Sequence, residues 1–165
     1  MRCWTGTSQW QPQRGKSGDR MTFGMVSVGY EGCELEPFVA VLRERGVTVL
    51  ADVRLNAISR RPGFSKARLR ERLSEAGIEY LHLRCLGNPK ENRDPFRTGR
   101  VTEGKRVFAE LMAGEAARAA LDELSRRTQS ELVAVMCFEA DHTRCHRQVV
   151  ADMVRDRVLV PLLEV

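Results

Sequence analysis

Leu132-Val-Ala-Val-Met136, Cys137-Phe-Glu-Ala-Asp-His-Thr-Arg-Cys-His-Arg147 and Val149-Val-Ala-Asp-Met-Val154 follow one another almost without a break. The first run is apolar, short and β-branched, as a strand buried on both faces should be. The last is an apolar helical pattern. Between them lie two thiols, two carboxylates, two imidazoles and two guanidiniums. The order is strand, polar turn, helix, and in an α/β protein such turns carry ligands and catalytic groups.

The same alternation extends outward from this stretch. Val26-Ser-Val28 reads as a strand, followed by a helix over 35–45 that tolerates Pro37 in its first turn and stops at Gly46. Val47-Thr-Val-Leu-Ala-Asp-Val53 is the clearest strand. Ser65 caps a helix to about Ala76, and Ile78-Glu-Tyr-Leu-His-Leu83 is a third strand. A polar loop spans 84–100, and helical patterns cover 102–112 and 115–127. Val158-Leu-Val160 reads as a short last strand, with Pro161 favouring a sheet edge. Strand–helix alternation predicts an α/β fold: a single doubly wound, mainly parallel sheet of about five strands flanked by helices, Rossmann-like. Residues 25–165 form one domain in this reading. Residues 1–24, rich in Gln, Gly, Ser and Arg, read as a disordered extension.

Composition fits a soluble globular chain of 165 residues, with 42% hydrophobic and 30% charged residues. No apolar run approaches the roughly 20 residues that span a bilayer, and no export signal is recognisable. Five cysteines at irregular spacing (Cys3, Cys33, Cys85, Cys137, Cys145) are not a disulfide framework, so a cytoplasmic location and no membrane partner are expected. The formal charge of +5 is partly contributed by Arg2, Arg14, Lys16 and Arg20. More telling is the local density of Arg54, Arg60, Arg61, Lys66, Arg68, Arg70 and Arg72, opposed only by Glu71. Such a zone either meets phosphates or forms a solvated helix face.

Right-handed crossovers place the carboxyl ends of parallel strands along one edge. Tyr30 and Glu31, Asp52 and Arg54, His82 and Arg84, and Cys137 and Glu139 all fall there. The segments Ser27-Val-Gly-Tyr30, Leu50-Ala-Asp-Val-Arg54, Ser59-Arg-Arg-Pro-Gly-Phe-Ser65, and Cys137-Phe-Glu139 with Cys145-His-Arg147 together resemble the family called domain of unknown function 488. The resemblance implies a compact bacterial-type α/β domain and supplies no activity. Tyr30 stands where that family often has His, and His142 where Pro is frequent.

Three chemistries compete for the edge. Cys137 ends a strand before a helix, where amides favour a thiolate, so it is a candidate nucleophile for rhodanese-like sulfur transfer. The position six residues on, where a phosphatase loop has arginine, is Thr143, and the loop lacks glycines. A Cys137–Cys145 redox pair requires Cα atoms within about 7 Å. Zinc-finger spacing is absent, and Cys145 and His146 are read as diverging by about 100° at a helix start, so no metal and no cofactor is expected. The third chemistry is phosphate recognition. Arg54, Arg60, Arg61 and Arg147, with His146 and Tyr30, are candidate anion ligands, and Glu31, Asp52, Glu139 and Cys137 are candidate catalytic groups. Phe64 either staples the following helix or stacks on a base. The expected function is an anion-binding cleft, acting on a nucleotide or nucleic acid. Sulfur transfer and a non-catalytic nucleic-acid or partner-binding module are the alternatives.

Overall fold

The computed structural model describes residues 21–164; the N-terminal segment read as disordered lies, up to residue 20, outside the described residues. Five strands form one parallel sheet: β1 (Gly24–Gly29), β2 (Val49–Asp52), β3 (Glu79–His82), β4 (Leu132–Cys137) and β5 (Leu162–Glu164), in the order β3-β2-β4-β1-β5. The helices are α1 (Leu35–Arg45), α2 (Lys66–Glu75), α3 (Asp94–Arg97), α4 (Val101–Leu111), α5 (Glu115–Thr128) and α6 (Arg147–Arg155). The doubly wound α/β architecture expected from the alternation is the one observed.

Alternation along the central strands divides the core between two layers. Val26, Val28, Leu50, Ala134 and Met136 face α1 and α2, where Phe38, Leu42, Leu69 and Leu73 complete the layer. Met25, Val49, Ala51, Val133 and Val135 face α4, α5 and α6, against Phe108, Leu121, Leu124, Val150 and Val154. Each fully buried large side chain contributes roughly 1.5–3 kcal/mol of transfer free energy. The chain moves from β1 through β2 to β3 across one face and returns through β4 to β5 across the other. Consequently β4 is followed by a helix on the second face, while its neighbours β1 and β2 are followed by helices on the first. That is the topological switch point, where an open α/β sheet leaves a crevice at the strand carboxyl ends.

Two elements differ from the sequence reading. The last strand is Leu162–Glu164, beyond Pro161 rather than before it. Pro161 has no N–H to give the ladder, but its carbonyl accepts from Met25 N at 2.9 Å and so starts the pairing of β5 with β1. The 84–100 segment, read as a polar loop, also contains regular structure. It holds helical turns at Arg84–Leu86 and Lys90–Asn92 and the short α3. Buried Asn92 joins Asn88 Oδ1 and Gly104 O, both at 2.9 Å. Gly87 lies so close to Leu55 that an added Cβ would come within 2.3 Å of its backbone. This contact fixes the loop after β3 against the loop after β2.

Candidate functional site

Four loops meet at the carboxyl edge, and three polar groupings hold them. The first surrounds Arg54. Its Nε donates to Asp52 Oδ1 at 2.8 Å and one terminal nitrogen to Asp52 Oδ2 at 2.6 Å; the other terminal nitrogen donates to Tyr30 Oη at 2.8 Å and Phe64 O at 2.9 Å. Tyr80 Oη donates to Asp52 Oδ2 at 2.6 Å. Burial opposes the Arg54 charge, but the hydrogen bonds and charge of Asp52 outweigh it and raise the guanidinium above its ordinary value. Burial, together with the same carboxylate, pushes the Tyr80 phenol up. Tyr30 stacks on Phe64 with ring centroids 4.4 Å apart. Arg54 and Tyr30, read from sequence as anion ligands, and Asp52, read as a candidate catalytic group, are therefore buried and satisfied by one another. Phe64 is fully buried against Tyr30 and Phe38, which makes it a core residue rather than a stacking platform.

The second grouping is centred on Arg147, whose side chain is fully buried. It donates to Ser27 Oγ at 2.8 Å, to Ala140 O at 3.0 Å and to Glu139 O. An arginine cannot accept, so the Ser27 hydroxyl proton is left to donate to His142 Nδ1, 2.6 Å away. The His142 Nε2–H then faces Glu164 Oε1 at 3.5 Å. The candidate catalytic carboxylate of Glu31 accepts from Ala140 N at 3.1 Å, and Phe138 O accepts from Glu31 N at 2.8 Å. Gly29 makes this approach possible, since a Cβ there would lie 1.9 Å from Glu139 O. Arg147 and Glu31 thus clamp the backbone of the motif loop to β1.

Ser27 and His142 are not among the candidate site residues read from sequence, where Ser27 only opens a family segment and His142 only marks a departure from the family pattern. A serine in the middle of an otherwise apolar central strand was the available signal. Burial holds the His142 imidazole below its ordinary value, against the pull of Glu164 and with Arg147 adding to the depression; Cys145 and Asp152 act in the same sense as Glu164. Above about pH 6.5 the ring is neutral in both folded and unfolded chains. As pH falls below that, the unfolded chain takes the proton first, so stability is lost with acidification. Urea midpoints at about pH 7.5 and 5.5 should therefore fall further for the wild type than for His142→Asn. Parallel losses would remove His142 from the acid response.

The third grouping is the chemical one. Cys137 Sγ lies 3.1 Å from Glu139 Oε2 and 3.8 Å from His146 Nδ1; Cys145 Sγ lies 3.2 Å and 3.7 Å from the same two atoms. The four donor atoms all fall within 4.8 Å of one another. His146 Nε2 is 3.0 Å from Val53 O, and the ring meets the edge of Phe108 at 5.0 Å. The hydrogen bond with Cys145, burial and the charges around it push the Cys137 thiol up. Burial also acts to raise Cys145, but hydrogen bonds from Cys137 and His146 outweigh it and lower this thiol, in keeping with its place just before the N-terminus of α6. Burial raises the Glu139 carboxyl, and for His146 the interactions with Cys145 overcome burial to raise the imidazole. The sequence reading put the diverging pair Cys145 and His146 at a helix start. Cys145 is instead extended (φ −126°, ψ 146°) and only His146 has helical angles, which lets both side chains face Cys137.

Arg60 is exposed, and Arg61 donates to Cys33 O at 3.1 Å; neither reaches the thiol cluster through any described hydrogen bond. Cys137-Phe-Glu139 and Cys145-His-Arg147, together with the Asp52–Arg54 strand end, are now placed on one edge of one sheet. The family described as domain of unknown function DUF488 matches residues 34–154. The chain belongs to this family. No curated protein and no solved structure matches it. Within the DUF488 domain the match ends at Val154, the last buried residue of α6, so it takes in the whole thiol cluster and the loop that carries it.

Proposed function

We propose that the carboxyl edge of this DUF488 domain binds a phosphate-bearing substrate, a nucleotide or nucleic acid, on the loops beside the Cys–Glu–His cluster. One observation carries the reading. From Arg54 to Lys66 there is no acidic residue, and Arg60, Arg61 and Lys66 have no carboxylate within ion-pair distance among the described residues. Lys66 instead faces His82 Nδ1 at 3.5 Å. Exposed Arg84 opens the neighbouring loop after β3. By contrast Arg68 and Arg72, on the outer surface of α2, pair with Glu71, Glu36 and Glu75. Cations without counter-ions on a loop at the switch-point edge of the sheet suit an anionic ligand. The buried arginines Arg54 and Arg147 then shape the loops, and the exposed ones meet phosphate.

Binding of a labelled single-stranded oligonucleotide should weaken steeply with salt, each phosphate contact adding about −0.7 to the slope of log K against log salt. The triple variant R60A/R61A/K66A should flatten that slope by roughly 2 and weaken binding at least about 10-fold at low salt. A salt-independent affinity, or a triple variant with the parent's slope, would reject phosphate contact at this loop.

A further inference from the structure

We propose that Cys137, Glu139, Cys145 and His146 form a four-ligand site for a zinc-type divalent cation. The sequence reading set a metal aside; the arrangement of donor atoms brings it back. In a tetrahedral site with Zn–S of about 2.3 Å and Zn–N or Zn–O of about 2.0–2.2 Å, sulfur–nitrogen and sulfur–oxygen separations are about 3.5–3.6 Å. The four such separations recorded here bracket that value, 3.1 and 3.2 Å to the Glu139 oxygen below it and 3.7 and 3.8 Å to the His146 nitrogen above it, with all four donor atoms within 4.8 Å of one another. A soft pair of thiolates with one imidazole and one carboxylate matches zinc better than magnesium or calcium, which take oxygen ligands.

The ring of His146 is set for ligation. Its Nε2–H donates to Val53 O at 3.0 Å, and Phe108 packs edge-on against it. The tautomer is thereby fixed with a lone pair on Nδ1, the atom that faces both sulfurs. A histidine ligand ordinarily carries this outer hydrogen bond to a backbone carbonyl or carboxylate. Glu139 is held at its backbone by Arg147 and through the bonds that tie its neighbours to Glu31, so its carboxylate does not depend on a free loop for its position.

Charge supplies an independent argument. Arg147 is fully buried, yet among the described residues no carboxylate lies within ion-pair distance of it; its partners are Ser27 Oγ and two carbonyls. A buried cation is costly without an opposite charge. Two thiolates and a carboxylate around a divalent ion leave one net negative charge in the turn that ends at Arg147. Binding displaces the two thiol protons to solvent and leaves both sulfurs as thiolates, with no change of oxidation state. All four ligands come from the protein, and the two thiols and the imidazole are buried, which is the pattern of a closed site that ties β4 to the start of α6.

The test uses the full chain, purified without a polyhistidine tag. Elemental analysis should find about one equivalent of zinc, and the chelated protein titrated with cobalt(II) should give the strong visible bands of tetrahedral cobalt with thiolate charge transfer. Cys145→Ser should weaken cobalt affinity by more than the roughly 10–100-fold typical of losing an outer-shell partner, while Cys85→Ser, at an exposed position, should leave it unchanged. Should the serine variant fail to fold, alkylation of the wild type gives the same answer: zinc should protect Cys137 and Cys145 but not Cys85. A chain that holds no zinc and gives only octahedral cobalt spectra would overturn the site. So would equal labelling of all three cysteines with and without zinc, or undiminished affinity in Cys145→Ser.

Discussion

Replacing Arg54 by alanine is expected to lower the unfolding free energy by about 3–5 kcal/mol, the range for removing one partner of a buried ion pair. The carboxylate of Asp52 is fully buried, and its bidentate partner is the Arg54 guanidinium. Without Arg54, Asp52 keeps the Tyr80 hydroxyl and loses its counter-charge; Tyr30 Oη and Phe64 O lose the donor that joins them. Two loops lose their tie at once, because Tyr30 belongs to the one after β1 and Arg54 to the one after β2; the bond of His82, at the end of β3, to Arg54 O at 2.9 Å is to the backbone and remains. Lysine should not restore the loss, since an ammonium lacks the planar fork that serves Asp52 and Tyr30 together. Urea unfolding with an unchanged m-value reads the effect cleanly. A loss below about 1 kcal/mol would make this an ordinary exposed pair. If Arg54→Lys keeps full stability but loses oligonucleotide binding, Arg54 belongs among the ligand contacts after all.

The strands, their parallel arrangement and the edge on which the polar groups gather were legible because they follow from short-range pattern. Val49–Ala51 and Leu132–Cys137 are continuous apolar runs, and Gly46 and Gly77 end helices where turn chemistry says they should. The roles of the arginines were not legible. Arg54 and Arg60 differ in one respect that decides everything, burial, and burial is set by the Tyr30–Phe64 stack that comes from two other segments. The cluster of Cys137, Glu139, Cys145 and His146 was visible as a collection of residue types. Its geometry depended on whether Cys145 stood inside or before the helix, a difference of two residues in one boundary. Helix ends are the part of a sequence reading least tied to periodicity. Ser27 left a trace in the sequence as a polar residue inside a buried strand, and its meaning appears only when Arg147 is found beside it.

Arg147→Ala carries the other large effect. Its side chain is fully buried and serves three acceptors, so its removal leaves buried Ser27 Oγ and the part-buried carbonyls of Glu139 and Ala140 without that donor. At about 1–3 kcal/mol for the unsatisfied buried hydroxyl and about 0.5–1.5 kcal/mol for each of the two part-buried carbonyl bonds, a loss of roughly 3–5 kcal/mol is expected, or a fall in Tm of roughly 6–20 °C. Arg144→Ala is the natural comparison. It lies in the same loop, three residues away, but is exposed, and its loss should fall within about 0.5 kcal/mol of zero. Arg147→Lys should recover only part of the difference, because one ammonium cannot span Ser27 on β1 and two successive carbonyls of the loop. The distinction matters for the thiol cluster. If Arg147 acts by holding the 139–140 backbone, Arg147→Ala should also increase alkylation of Cys137 and Cys145 under conditions where the protein remains folded, while Arg144→Ala should not. Equal losses of stability from the two substitutions would mean that the buried guanidinium is not the clamp, and that the motif loop is held by the Glu31 contacts alone.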